Sequence, residues 1–94
     1  FSPVLDLGRQ PLWSRHFETL GEDPVLGSQM GVGLVEGYQG KGETVDEFHA
    51  AACLKHFVGY SASFTGRDRT PAFIPEKYMQ ERSNYVKPFG YFEK

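Results

Sequence analysis

Ninety-four residues, 39% hydrophobic and 23% charged, can build one small globular domain at most, and suggest neither a disordered chain nor a membrane protein. A formal net charge of −2 with no run of Lys or Arg argues against a nucleic acid or an anionic membrane as the main partner, which leaves small-molecule chemistry. Eleven glycines, six prolines and fourteen aromatic residues favour a loop-rich chain over a helical bundle.

At this size roughly 60–65% of the unfolded surface can be buried, a thin margin over conformational entropy. No stretch approaches the roughly 20 apolar residues of a membrane span, and no basic start with an apolar core marks a signal peptide. The chain opens on Phe1 rather than Met, as expected of a start within a longer protein. Cys53 has no second cysteine to pair with and lies in an apolar run, so it is expected to be a buried small hydrophobe.

Phe1-Ser-Pro-Val-Leu-Asp-Leu7 reads as the end of a buried strand that stops at Gly8. The loop that follows, through Arg15, carries Trp13 and two arginines, a costly composition for a mere connector. Gly21-Glu-Asp-Pro24 is a helix start: Asp23 can cap the first turn, and Pro24 fits the first helical position. The helix is expected to run from Pro24 to about Tyr38, with Leu26, Met30, Leu34, Val35 and Tyr38 on its apolar face and Gly40 as its stop. Gly27, Gly31 and Gly33 weaken it by roughly 1 kcal/mol each relative to Ala, a cost that close packing against a sheet would justify.

After a polar loop from Lys41 to Glu47, the run from Phe48 to Phe57 is open to helix or strand on propensity. Its continuous apolar centre, Ala50 to Leu54, favours a strand buried on both faces, as in a parallel sheet. A second loop spans Gly59 to Thr70, and a second helix begins near Ile74-Pro-Glu76, carrying Tyr78, Met79 and Arg82. Pro88 and Gly90 are expected to end regular structure. The order strand, helix, strand, helix belongs to the α/β class.

In a parallel barrel the C-terminal ends of the strands open onto the active site, and Lys55-His56 follows the second expected strand directly. An ammonium and an imidazole can donate hydrogen bonds to sugar hydroxyls, and the imidazole can also accept one. From spacing alone, such a pair leaving a strand is more often a solvated edge than a ligand clamp. Arg15, in the loop after the first strand, would reach the same face of the sheet. It could serve there as a ligand contact or as a structural salt bridge.

The ordered set Pro3-Val-Leu-Asp6, Pro11-Leu-Trp-Ser-Arg15, Glu18-Thr-Leu-Gly-Glu-Asp-Pro24, Gly31, Gly37, Gln39-Gly40, Ala52-Cys-Leu-Lys-His-Phe57 and Gly59-Tyr60 resembles the N-terminal barrel domain of family-three glycoside hydrolases, in their β-glucosidase and β-xylosidase branch. The resemblance covers about residues 2 to 81 and loosens after about residue 82. It implies that residues 1–94 are a fragment of that domain: a partial (β/α) barrel of about two βα units from a TIM-like domain. It also implies that Arg15, Lys55 and His56 hold hydroxyls of the innermost sugar. Leu12 and Ser14 stand where the family has arginine and glycine, departures expected to be tolerated, although Ser14 could alter the loop's backbone. The N-acetylglucosamine branch carries a proline and a catalytic histidine after Lys-His-Phe. Here Val58-Gly59-Tyr60 lacks both, and a tyrosine cannot relay protons near neutrality.

Retaining glycoside cleavage needs two carboxyl groups about 5–5.5 Å apart. Glu18, Glu22 and Asp23 fit a loop-to-helix junction better than that pair, and Asp68, between Arg67 and Arg69, is expected to pair within its loop. The resemblance places the nucleophile in a later barrel strand and the acid/base in a following domain, so the segment itself is assigned no catalytic residue. It implies a retaining, exo-acting β-glycosidase with a carbohydrate substrate, no metal and no cofactor, completed by the rest of the barrel and a following domain, with a lean toward an extracytoplasmic location. The alternatives are an inert carbohydrate-binding remnant and a structural fragment.

Overall fold

A computed structural model describes residues 1–86, with side chains through residue 81. Helix α1 spans Pro24–Gln39 and helix α2 spans Glu76–Val86, and the two touch each other. Single 3-10 turns lie at His16–Glu18 and Tyr60–Ala62. The expectations for Pro88, Gly90 and the 91–94 tail, and for the side chain of Arg82, fall outside the described residues.

α1 begins where capping chemistry requires. The Asp23 carboxylate accepts the Val25 and Leu26 amides at 2.8 and 2.9 Å, and Pro24 occupies the first turn, where its missing N–H costs nothing. It ends at Gly40, whose φ of 74° turns the chain while its amide still bonds Glu36 O at 2.8 Å. α2 likewise begins directly after Pro75, with Glu76 in its first turn.

The buried face of α1 matches the expected one at Val35 but not at most of the larger residues. Leu26, Met30 and Tyr38 are exposed, whereas Gly27, Gly31 and Val35 are buried. These three recur at four-residue spacing, and at Gly27 the helix lies close to the first segment. A Cβ on Gly27 would come within 3.2 Å of Leu7 Cδ2, so the glycine permits the approach.

The two expected strands are present only as an isolated parallel bridge between Val4 and Lys55; among the described residues no regular strand forms. Around the bridge, Cys53 N donates to Ser2 O, Lys55 N to Pro3 O and Leu5 N to Lys55 O, the slanted pattern of a parallel pair. The upstream half of the second segment bonds elsewhere: Ala50 N donates to Tyr38 O and Ala52 N to Gln39 Oε1, both at the end of α1. Residues 50 and 52 thus bond to α1 rather than to the first segment. The expected burial on both faces is not seen: Ala51 and Cys53 are exposed.

The core is small and sits on the first segment: Val4, Leu5 and Leu7 are buried, with Trp13 only 2% exposed. Asp6, in the middle of this apolar run, is 4% exposed and fully engaged. Its carboxylate accepts the Gly59 and Ser61 amides at 3.1 and 2.7 Å, and Ser61 Oγ donates back to Leu7 O at 2.7 Å. The turn after His56 is thereby fastened to the end of the first segment. Gly59 makes this turn at φ 92°, where a Cβ would also strike Ile74 Cδ1 at 2.7 Å.

Candidate functional site

Three loops meet beside the Val4–Lys55 bridge: the one leading to Arg15, the one leaving Lys55, and the one that ends at Thr70. Arg15 follows the buried Trp13 and precedes the 3-10 turn, which brings Glu18 three residues on into reach. Arg15 Nε and Nη2 donate to the two carboxylate oxygens of Glu18 at 2.7 and 2.8 Å, a planar fork. Behind the guanidinium stand two aromatic rings, Tyr60 with its centroid at 5.7 Å and Trp13 at 5.9 Å. The fork draws Glu18 below the usual carboxylate range, and hydrogen bonds to Glu18 and Tyr60 raise Arg15 further above its already high value.

His56 packs edge-on against Tyr60, with ring centroids 4.6 Å apart and planes at 73°. Burial, followed by the nearby charges of Arg15 and Lys55, lowers the basicity of its imidazole and favours the neutral ring near neutrality. Its Nδ1 is buried and has no hydrogen-bond partner among the described residues. The Lys55–His56 and Phe57–Val58 peptides are cis.

An open depression of about 330 Å3 is lined by Arg15, His56, Tyr60 and Arg69. Two of the three side chains singled out in the sequence therefore share one concavity although they lie far apart in the chain. Lys55 is adjacent but does not line the depression; its backbone pairs with the first segment, and its charge acts on His56 and Glu18. Tyr60 and Arg69 had not been singled out as site residues. Arg69 has a φ of 56°, the left-handed turn that follows Asp68.

The acidic residues near the mouth have structural duties. Asp23 caps α1, Glu18 clamps Arg15, and Glu22 lies 3.5 Å from Arg9. Asp68, expected to pair within its loop, keeps Arg69 Nε at 3.8 Å, but its close partners are Tyr60, whose OH donates to Oδ1 from the same loop, and the sequence-distant Trp13, whose Nε1 donates to the same oxygen at 2.9 Å. Trp13, part of a loop composition too costly for a mere connector, signalled one side of this contact. Nothing in the local sequence signalled the acceptor.

The depression thus offers two guanidinium groups, an imidazole and one aromatic ring, all from loops. The profile described as the glycosyl hydrolase family 3 N terminal domain matches residues 1–91, and the chain belongs to this family. It is 48% identical over 84 residues to a lysosomal beta glucosidase of Dictyostelium discoideum, covering 85% of this chain and 10% of that protein. It is 37% identical over 97 residues to a periplasmic beta-glucosidase/beta-xylosidase of Dickeya chrysanthemi, covering 98% and 14%. Among solved structures it resembles a mutant beta-glucosidase from Listeria innocua in complex with laminaribiose, with a TM-score of 0.83 and 36% identity over 96% of this chain and 13% of that one. The chain thus spans about a tenth to a seventh of the length of these relatives.

Proposed function

We propose that this segment supplies one corner of the sugar subsite of a retaining, exo-acting β-glycosidase of the β-glucosidase or β-xylosidase type. The observation that carries the reading is the convergence of Arg15 and His56 on one depression beside the Lys55 backbone pairing. The corner belongs to a partial (β/α) barrel, of which the parallel bridge and the two helices are the parts present. A solved relative that resembles 96% of the chain at a TM-score of 0.83 supports that architecture.

The chemistry of the corner is recognition. Arg15 commits two of its five N–H groups to Glu18, which fixes its plane and leaves donors for a hydroxyl. With Nδ1 buried, a neutral His56 can meet one hydroxyl through Nε2, as donor or acceptor according to its tautomer, and Lys55 adds a positive charge nearby. Such bonds raise the rate where they tighten toward the transition state, but they cannot form a glycosyl-enzyme bond. The nucleophile and the acid/base belong to parts of a longer protein outside these 94 residues. An extracytoplasmic setting is favoured by the lysosomal and periplasmic relatives.

Hydrolysis of p-nitrophenyl β-D-glucoside, p-nitrophenyl β-D-xyloside and laminaribiose by the complete protein tests the reading, with the product anomer followed by NMR. Release of the β-anomer first is expected, and the 94-residue chain alone should be inert. Inversion at the anomeric carbon, or turnover by the isolated segment, would refute the proposal.

A further inference from the structure

Asp68 is the least explained charged group around the depression. It sits in a loop that its own bonds define: Phe64 N donates to Pro71 O at 3.0 Å, Thr70 Oγ1 to Arg67 O at 2.7 Å, and Gln10 Nε2 to Ser63 O at 3.3 Å. Gly66 lies against Leu12, where a Cβ would meet Leu12 Cβ at 2.7 Å. The loop is thus seated on the Arg15 loop independently of Asp68.

From that seat one oxygen, Oδ1, accepts both the Trp13 indole N–H and the Tyr60 hydroxyl. The two rings it holds meet edge-on, with centroids 5.0 Å apart and planes at 80°, and both lie within 6 Å of the Arg15 guanidinium carbon. Tyr60 also carries the edge contact to His56. A single acceptor therefore orients the rings behind both residues proposed to grip the sugar. Hydrogen bonds from Tyr60 and then Trp13 keep the carboxyl below its usual range, so it remains an acceptor near neutrality rather than a proton donor.

We propose that Asp68 is a positioning residue of the sugar site, fixing the aromatic backing of Arg15 and His56 through Tyr60 and Trp13. This rests on the proposed glycosidase reading. The arrangement separates two tasks on Arg15: Glu18 fixes the guanidinium from one edge, and the Asp68-held rings fix it from behind. Losing the second leaves the ion pair intact but lets the plane tilt.

The test uses the complete protein that carries this segment and two measurements. One is kcat and KM for p-nitrophenyl β-D-glucoside. The other is the rate at which phenylglyoxal modifies Arg15, read by peptide mass spectrometry, which needs no turnover. Asp68→Ala should lower kcat/KM about tenfold and quicken Arg15 modification severalfold, because both ring donors lose their acceptor. Asp68→Asn keeps an amide oxygen in the same place and should stay within about threefold of the parent in both. If Asp68→Ala does not fold, Tyr60→Phe, which keeps the ring and removes one donor, should shift both measurements in the same direction. Parent-like kcat/KM and parent-like Arg15 modification in the folded variants would overturn the role. Absence of hydrolysis by the parent protein would sink the glycosidase reading instead, and the Arg15 modification rates would still decide for or against the positioning role.

Discussion

The Asp6 carboxylate and the Ser61 amide meet at 2.7 Å in the interior, and Ser61 Oγ returns a bond to Leu7 O, so two points far apart in sequence are locked by reciprocal bonds. This lock sets where the chain leaves His56, and hence where Tyr60 stands between His56 and Arg15. Both partners are almost wholly buried, so neither can turn to water if the other is removed.

Asp6→Ala strands the Gly59 and Ser61 amides and should cost about 2–6 kcal/mol, at roughly 1–3 kcal/mol for each buried unsatisfied group. Asp6→Asn, with one oxygen left to accept, should cost less. Denaturant unfolding of the complete protein measures both. A loss below about 0.5 kcal/mol for the alanine variant would show that water or a backbone shift replaces the carboxylate.

The glycines of α1 separate into two classes. Nothing lies within 4 Å of a Cβ at Gly33 or Gly37, so alanine at either should stabilise the helix by up to about 1 kcal/mol. At Gly27 the new methyl meets Leu7 at 3.2 Å, and the propensity gain is offset by displacing a buried side chain. Melting temperatures of the three variants should rise for the first two and not for the third.

Acid should weaken the site and the fold together. His56 has its folded pKa lowered from 6.5 by burial and by Arg15 and Lys55, so the unfolded chain binds the proton more readily and stability declines as pH falls below 6.5. Glu18, held low by Arg15, adds a loss as pH falls below 4.5, and Asp68, held low by Tyr60 and Trp13, adds another below 3.8. All three have the same sign. Unfolding midpoints followed from neutrality into acid should fall in these successive windows, and His56→Gln should remove the first. A midpoint that rises on acidification through 6.5 would contradict the assignment.

Much of the local structure was legible in the sequence because it depends on neighbours. The Asp23-Pro24 start, the Gly40 stop and the start of α2 after Pro75 follow from hydrogen-bond needs within one turn. Most of the buried face of α1 was misread because large apolar residues outweigh glycines in a hydrophobicity pattern, whereas a close approach selects the smallest side chains. Asp6 was illegible as a lock because its donors arrive from across the fold, and so was the Trp13 bond to Asp68. Asp6 still left one signal: a carboxylate within an apolar run must find donors.

Large apolar side chains remain uncovered, including Phe57 at 70% exposure, Phe64 at 71% and Phe73 at 77%. The 94-residue chain on its own should therefore aggregate or unfold without cooperativity, and its Cys53 should react freely with a thiol reagent. In the complete protein the same thiol should be protected by neighbouring segments. A sharp calorimetric transition from a monomer of the isolated chain would contradict this.

The proposed grip of Arg15, Lys55 and His56 on one sugar is tested most directly by kcat/KM for p-nitrophenyl β-D-glucoside in the complete protein. Each single alanine variant should lose about 10- to 100-fold, as expected for a charged or strong hydrogen bond to substrate, with its melting temperature close to that of the parent. Three folded variants that hydrolyse the glycoside as fast as the parent would place the sugar elsewhere.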